Sequence, residues 1–242
     1  MSQRDQVYRE PKNQIVDFAF DDGVADVFPD MIRRSVPGYE TVIPVSGLLA
    51  ARHLKRNPDL APRAYDLGCS LGATTMALLR ALDNEACEVF AVDSSEAMIQ
   101  RAAERITDPR VHFLCRDVRG LDFKPAGAVL LNYVLQFLAP DDRLALLRQI
   151  CRALTPGGLL ILSEKIRFED PEDDAFYDAV HLDYKRANGY SDLEISQKRS
   201  ALENVMIIDT EAIHRDRFRE AGFTRVRKWY QCLNWASFLV SP

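Results

Sequence analysis

The sequence contains no uninterrupted apolar stretch of the roughly 20 residues that a membrane-spanning helix needs. Residues 1–20 are polar and charged, whereas a secretory signal is built around an apolar core. The five cysteines are odd in number and include no Cys-x-x-Cys pair, which argues against a disulfide framework and against a structural zinc site. These absences predict a cytoplasmic protein with no membrane span.

The chain also lacks the basic surplus that proteins gripping a long nucleic acid usually carry, since its formal net charge at pH 7 is −5. Its four histidines show no metal-ligand spacing such as His-Glu-x-x-His, and no cluster of Cys, His and carboxylate residues suggests a metal. The composition therefore favours a small-molecule substrate, with no direct nucleic-acid partner and no metal.

What the chain does contain is an alternation of short apolar runs with amphipathic helical patterns. This alternation indicates parallel strands joined by helices, and 242 residues suffice for one such domain. We expect a doubly wound, mostly parallel, seven-stranded α/β sheet whose last two strands include an antiparallel one. The predicted strands are 64–67, 88–92, 111–115, 127–132, 158–163, 224–229 and 233–240, and the predicted helices are 73–82, 95–105, 140–154 and 210–221.

Two segments precede the first strand. Residues 1–20 are predicted to form a flexible arm, and residues 21–60 a helical cover whose helices are interrupted at the prolines. Those prolines are Pro29, Pro37 and Pro44. The remainder, residues 21–242, is predicted to be a single domain.

A helical insertion, residues 164–209, follows the fifth strand. One helix is expected to start near Asp174, and a capping-box sequence at Ser191–Glu194 opens the next. Such an insertion lies over the ligand crevice of a parallel sheet, so we expect it to set substrate specificity. Its helices could equally cover the sheet or form a dimer face.

The turn between the first strand and the first helix carries glycines at Gly68 and Gly72. Glycine lets the backbone approach a ligand without an intervening Cβ. About 20 residues later the second strand ends in Asp93, where an acid can bind the hydroxyls of a ribose. The pattern therefore predicts a nucleoside-containing cofactor, although Asp93 could also cap the following helix.

Three ligand hypotheses compete for this turn. A dinucleotide site would need a middle glycine that is absent, and Asp66 would repel a pyrophosphate. Residues 68–72 match the Gly-x-Ser-x-Gly nucleophile elbow, but the turn follows the first strand and few histidines exist. S-adenosylmethionine carries a sulfonium and an ammonium and no phosphate, so an acid beside the turn suits it. A tight turn without a ligand remains the structural alternative.

Other candidates follow later strands. Asp117 could accept the exocyclic amine of adenine while Val118 offers its backbone, and Asn132 closes an otherwise apolar strand at the crevice. Each has an equally simple structural explanation. The basic pairs 185–186 and 198–199 are typical of a solvated helix face, yet arginine is the side chain best shaped to bind a carboxylate.

Four segments together resemble the carboxy-S-adenosyl-L-methionine synthases. The glycine motif at 65–73 is shared by many methyltransferases, whereas the block at 183–200 is far more specific. The segments are Ser-Val-Pro-Gly-Tyr (35–39), Tyr-Asp-Leu-Gly-Cys-Ser-Leu-Gly-Ala (65–73), Leu-Ser-Glu-Lys (162–165) and Asp-Tyr-Lys-Arg-Ala-Asn-Gly-Tyr-Ser-Asp-Leu-Glu-Ile-Ser-Gln-Lys-Arg-Ser (183–200). The likeness runs over nearly the whole chain and implies a Rossmann-like class I methyltransferase fold.

The resemblance implies a carboxylation. Members use prephenate and S-adenosyl-L-methionine, release phenylpyruvate, and pass carboxy-S-adenosyl-L-methionine to a separate enzyme that makes 5-carboxymethoxyuridine at the tRNA wobble position. They are homodimers. The family pattern places Arg199 at the new carboxylate, as the catalytic candidate, and the following residues around the cofactor: Tyr39, Gly68, Cys69, Ser70, Asp93, Ser94, Asp117, Val118 and Asn132. An ordinary small-molecule methyltransferase and a non-catalytic cofactor-binding module are the alternatives.

Overall fold

Parallel strands form the centre of the structure, a computed structural model that describes residues 3–242. The strands are β1 (Arg63–Leu67), β2 (Glu88–Asp93), β3 (Val111–Cys115), β4 (Ala126–Asn132), β5 (Leu154–Arg167), β6 (Asp209–Thr210), β7 (Arg225–Cys232) and β8 (Trp235–Ser241). The main sheet has the order β3-β2-β1-β4-β5-β8-β7, and the two-residue β6 pairs with β5 off this path.

The pairing directions confirm the predicted sheet. β2 pairs parallel with β1 and β3, and β4 pairs parallel with β1 and β5. β8 pairs antiparallel with both β5 and β7, as expected for the closing strands. The sequence did not predict β6, because two residues carry no hydrophobic period.

Eight α-helices are described within residues 3–242. They are α1 (Asp22–Ser35), α2 (Tyr39–Arg56), α3 (Ala73–Leu82), α4 (Glu96–Arg105), α5 (Pro140–Ala153), α6 (Pro171–Ala187), α7 (Asp192–Leu202) and α8 (Glu211–Ala221). Their ends carry ordinary caps: the Thr210 hydroxyl accepts the N–H of Ile213 at the start of α8, and Gly222 ends that helix with φ 104°. None of these helices is long and apolar enough to cross a membrane.

Helices pack on both faces of the sheet. Successive residues of β4 point to opposite faces, and all seven are buried. Leu131 belongs to a cluster with Leu147 and Phe218, from α5 and α8. Leu130 belongs to a second cluster with Ala50 and Leu78, from α2 and α3. Because helices cover both faces of the sheet, the carboxyl ends of the strands are left free.

The prediction that the helical cover breaks at three prolines is wrong at two of them. Pro29 lies inside α1 and Pro44 lies inside α2, and only Pro37 falls between helices. A proline removes one helical hydrogen bond, but α1 buries Val24 and Met31 against Leu71 and Met98. This tertiary burial outweighs the local preference.

Of the flexible arm predicted at residues 1–20, residues 1 and 2 lie outside the described residues, and residues 3–20 contain no helix or strand but are hydrogen-bonded to the domain. The N–H of Asp5 donates to Asp30 on α1, and the Tyr190 hydroxyl donates to the Asp5 carboxylate. On α7, the Gln197 side chain accepts the N–H of Lys12 at 2.7 Å and donates to the carbonyl oxygens of residues 8 and 10. Local sequence patterns do not indicate these hydrogen bonds, because the partner residues lie far away along the chain.

The helical insertion begins later than predicted, because β5 continues to Arg167. The capping box that opens α7 is present: the Ser191 hydroxyl accepts the N–H of Glu194, and the Glu194 carboxylate accepts the N–H of Ser191. Phe176 on α6 is 60% exposed. The insertion thus leaves an aromatic side chain on the surface.

Candidate active site

A cavity of about 330 Å³ opens at the carboxyl ends of β1, β2 and β4. Nine of the ten residues expected at the site line it, namely Tyr39, Gly68, Cys69, Ser70, Asp93, Ser94, Asp117, Val118 and Asn132. The tenth, Arg199, does not line it in the described chain.

The glycine turn folds tightly over the end of β2. The N–H groups of Gly68 and Cys69 both donate to the carbonyl oxygen of Val92, at 2.8 and 2.9 Å. Gly68 has φ +69°, and an added Cβ would lie 2.3 Å from a methyl group of Val134. Glycine is therefore required here by both backbone conformation and space.

Asp66 lies behind the turn and does not line the cavity. It is 1% exposed and accepts a 2.6 Å hydrogen bond from the Thr75 hydroxyl. Burial raises the pKa of Asp66 to about 6. The acid that the sequence offered as a direct partner for the cofactor's cations therefore acts on the cavity through space.

Asp93 ties the turn to the start of α4. Its carboxylate accepts the N–H of Ser70 at 2.8 Å and the N–H of Ser95 at 2.9 Å. Burial raises the pKa of Asp93, while these N–H donors lower it. Ser95 itself caps α4. The side chain thus has the structural role left open by the sequence and also faces the cavity, where its free lone pairs can meet a ribose.

Asp117 and Val118 lie where the polypeptide leaves β3. The Asp117 carboxylate accepts the N–H of Arg119 and forms an ion pair with its guanidinium at 2.6 Å. The ion pair lowers the pKa of Asp117 and keeps it ionised. Val118 is buried beside it. The pair can therefore offer an acceptor and an apolar surface to a flat base.

Asn132 gives the strongest sign of a ligand. Its side chain is buried, yet neither amide atom has a hydrogen-bond partner in the described part of the chain. The same holds for the Tyr133 hydroxyl and the Trp235 indole N–H, which also line the cavity. Buried polar atoms are almost always satisfied in native proteins. Because all of these groups lack a hydrogen-bond partner and line one cavity, they indicate a polar ligand such as S-adenosylmethionine.

Glu164 fixes the loop that follows Asn132 and Tyr133. It is fully buried and accepts the N–H groups of Val134, Leu135 and Gln136 at 3.0, 2.8 and 3.1 Å. Burial raises the pKa of Glu164 to about 8, although the three donors favour the carboxylate form. Tyr133, just before this loop, has φ +64°. One buried side chain therefore holds a strained backbone in place beside the cavity.

Three lysines that were not among the ten expected site residues line the cavity on the side of β5 and the insertion. They are Lys165 on β5, Lys185 on α6 and Lys198 on α7. In each basic pair of the insertion, the lysine faces the cavity while the arginine, Arg186 or Arg199, is exposed. Neighbouring residues on a helix point in different directions, so helical periodicity could have separated the lysine from the arginine. Each pair was instead interpreted as part of one solvated helix face.

Arg199 instead pairs with Asp178 on α6, at 3.0 Å, and its side chain is 63% exposed. The other oxygen of Asp178 lies 3.7 Å from the Lys165 ammonium. Arg199 is thus separated from the cavity by one ion pair. Elsewhere in residues 3–242, no group of three or more His, Cys, Asp or Glu residues could hold a metal.

The comparisons with solved structures agree with this fold. An O-methyltransferase family protein from Burkholderia thailandensis has a TM-score of 0.66 at 18% identity, over 92% of this chain and 60% of that one. Human N-acetylserotonin methyltransferase in complex with SAM has a TM-score of 0.62 at 16% identity, over 91% and 55%. A methyltransferase-domain family model matches residues 64–158. These likenesses establish the class I methyltransferase fold.

Full-length relatives decide the family. Carboxy-S-adenosyl-L-methionine synthase of Pseudomonas aeruginosa (strain UCBPP-PA14) is 49% identical over 250 residues, covering 100% of both chains. The synthase of Pseudomonas syringae pv. syringae (strain B728a) is 50% identical over 246 residues, covering 98% of both. The chain belongs to the carboxy-S-adenosyl-L-methionine synthase family. Membership in the carboxy-S-adenosyl-L-methionine synthases confirms the resemblance carried by residues 183–200.

Proposed function

We propose that this protein converts S-adenosyl-L-methionine and prephenate to carboxy-S-adenosyl-L-methionine and phenylpyruvate. Prephenate loses carbon dioxide and its hydroxyl group, the cofactor methyl loses a proton, and a carbon–carbon bond joins that methyl carbon to the carbon dioxide. The proton and the hydroxyl leave as water, so atoms and charge balance. The observation that carries the proposal is a single cavity lined by Asp93 and Asp117 on the side of β2 and β3, and by three lysines on the side of β5 and the insertion that follows it.

The acidic side suits S-adenosyl-L-methionine, which carries a sulfonium and an ammonium. We assign the ribose hydroxyls to Asp93, the adenine to Asp117 and Val118, and the polar atoms of the methionine part to Asn132 and the turn. Tyr39 also lines the cavity, and its ring centre is 6.1 Å from that of Tyr133. Burial, together with Asp66, raises the pKa of Tyr39 and keeps its hydroxyl a neutral donor.

The assembly proposed for this reaction is a homodimer formed partly by the insertion. Phe176 on α6 and Leu193 on α7 are 60% and 40% exposed, more than apolar side chains of a covered helix pair should be. Closed two-fold dimers are the commonest soluble assembly. Arg199 on α7 is also exposed, and we propose that it binds the new carboxylate in the cavity of the second copy.

The product is proposed to supply the carboxymethyl group for 5-carboxymethoxyuridine at the tRNA wobble position. The acidic net charge of −5 fits an enzyme that hands a small molecule onward and does not bind the tRNA itself. Its five free cysteines fit a reducing cytoplasm. Neither a metal nor a membrane enters this proposal.

Mass spectrometry of the bound small molecule tests the proposal. We expect protein purified from cells to carry carboxy-S-adenosyl-L-methionine, and the protein supplied with prephenate and S-adenosyl-L-methionine to form it together with phenylpyruvate. Recovery of S-adenosylhomocysteine, with methylation of an added acceptor, would instead identify an ordinary methyltransferase. Binding of S-adenosyl-L-methionine with no product of either kind would identify a binding module.

A further inference from the structure

The basic side of the cavity is built from three different elements. Lys165 and Lys198 are 9% and 8% exposed, and Lys185 is half-buried. Lysine is almost never buried to this degree unless it is paired, because the ammonium loses its hydration. All three nevertheless face one cavity. Their burial therefore needs an explanation that ordinary packing does not give.

The protein's own anions compensate these charges only in part. Asp178 lies 3.7 Å from Lys165 but shares its carboxylate with Arg199. Lys198 donates to the neutral hydroxyl of Ser35 at 3.1 Å, and the Asp5 carboxylate acts on it from farther away, against Arg34. Lys185 lies beyond ion-pair distance of every carboxylate in residues 3–242.

Burial and the resulting excess of positive charge both lower the pKa of Lys185, which is close to both other lysines. Burial, followed by the charges of Lys198 and Lys165, lowers the pKa of Lys185 to about 7. Burial likewise lowers the pKa of Lys198 to about 8. Close positive charges disfavour one another's protonated forms. Lysines held together in this way indicate a site that is completed by an anionic ligand.

We infer that Lys165, Lys185 and Lys198 form the binding site for the carboxylates of prephenate. This inference rests on the proposed function. Prephenate is a dianion, and its two carboxylates match three cavity lysines of which only Lys165 is near a carboxylate, that of Asp178, which it shares with Arg199. After carbon dioxide is lost, phenylpyruvate retains a single carboxylate and binds these lysines less strongly. The same charge difference therefore selects the substrate and favours release of the product.

The test replaces each lysine by methionine, which keeps the length of the side chain and removes the charge. We expect the KM for prephenate to rise at least about tenfold in each variant, because a charge-assisted contact is lost. The Kd for S-adenosyl-L-methionine should change less than about twofold. Thermal stability should stay constant or rise, since a buried charge has been removed. Arg186→Met, an exposed neighbour on the same helix as Lys185, is the matched control and should change none of these values.

An unchanged KM for prephenate in all three variants would overturn the inference. So would parallel losses of stability and of S-adenosyl-L-methionine affinity, since these describe a structural role. If the wild type makes no carboxylated product, the proposed function fails, and calorimetric titration of prephenate into the complex with S-adenosylhomocysteine decides the lysine site. Binding by the wild type that the variants lose supports a dianion site, whereas no binding by the wild type overturns it.

Discussion

At the scale of single residues, one carboxylate in the site both stabilises the backbone around it and faces the ligand cavity. The Asp93 carboxylate holds the Ser70 and Ser95 N–H groups and still faces the cavity. The sequence predicted Asp93 from the position of an acid after the second strand. It could not predict Lys165, because a lysine on a strand looks the same whether it faces water or a cavity. For Lys185, the helical period separates the lysine from Arg186 but does not say which of the two faces the cavity. Only the packing of the insertion decides that.

Replacing Asp93 by alanine is expected to abolish useful binding of the cofactor. A charge-assisted hydrogen bond to a ribose typically contributes about 1.5–3 kcal/mol, which is about tenfold or more in affinity. Isothermal calorimetry with S-adenosyl-L-methionine measures the loss. Glu96→Ala, which removes a nearby exposed carboxylate at the start of α4, is the control and should bind normally. Equal affinities for wild type and Asp93→Ala would refute the ribose assignment.

His181 predicts a dependence of stability on pH. It lies against the Ser35 carbonyl oxygen at 2.8 Å, and burial, with Lys185 and Lys165, lowers its pKa to about 3. The unfolded chain has the ordinary value of about 6.5, so between these values it binds more protons than the folded protein. Stability should therefore fall as the pH drops below about 6.5, by about 1.4 kcal/mol per pH unit once the unfolded histidine is fully protonated.

Melting temperatures between pH 7 and pH 5 check this dependence. His181→Gln can still donate to Ser35 but does not titrate, so its stability should fall less steeply. Some slope should remain, since burial also lowers the pKa of His214, to about 4. Identical slopes for wild type and variant would show that His181 is not the group responsible.

At the scale of elements, the sequence predicted strands and helices well where a hydrophobic period is long. It failed where a distant contact overrides a local signal, as at Pro44 inside α2. The position of α2 depends on one glycine. A Cβ added at Gly47 would lie 2.5 Å from the backbone nitrogen of Leu78 on α3, so the two helices touch through backbone.

Gly47→Ala is therefore expected to push α2 away from α3. Overpacking typically costs about 1–3 kcal/mol, more than the helix propensity gained by the change. Because α2 begins at Tyr39 and α3 follows the glycine turn, cofactor affinity should weaken together with the melting temperature. Gly23→Ala in α1 is the matched control: its Cβ would meet only Asp21, at 3.5 Å. A Gly47→Ala protein as stable as wild type would contradict this account of the packing.

At the scale of the whole molecule, the proposed dimer makes a sharp prediction for Arg199. Neither Arg199→Ala nor Asp93→Ala should be active alone, but co-refolded or co-expressed mixtures should recover about a quarter of wild-type activity. This follows because about half of the dimers are mixed and each contains one intact cavity. Activity assays of the mixture, with light scattering at micromolar concentration, provide the measurement.

A mixture that stays inactive while light scattering shows dimers would place the function of Arg199 within its own chain, and a monomeric mass would remove the dimer itself. Comparing ligands separates binding from packing. Arg199→Ala should weaken binding of carboxy-S-adenosyl-L-methionine by about tenfold or more and leave S-adenosyl-L-methionine nearly unaffected. Equal losses for both ligands would make Arg199 a structural residue.

The segment that precedes α1 has a consequence for how long a ligand stays. Phe18 and Phe20 form part of the cavity wall, and this stretch is held by the Ala201 carbonyl oxygen, which accepts the Phe18 N–H, and by the Ser95 hydroxyl, which donates to the Phe20 carbonyl. We expect a bound molecule shielded by this wall to exchange more slowly while these attachments hold. Residence time then depends on local unfolding within residues 3–20 and can change separately from affinity. Trimming those residues should shorten occupancy even where every contact with the nucleoside remains.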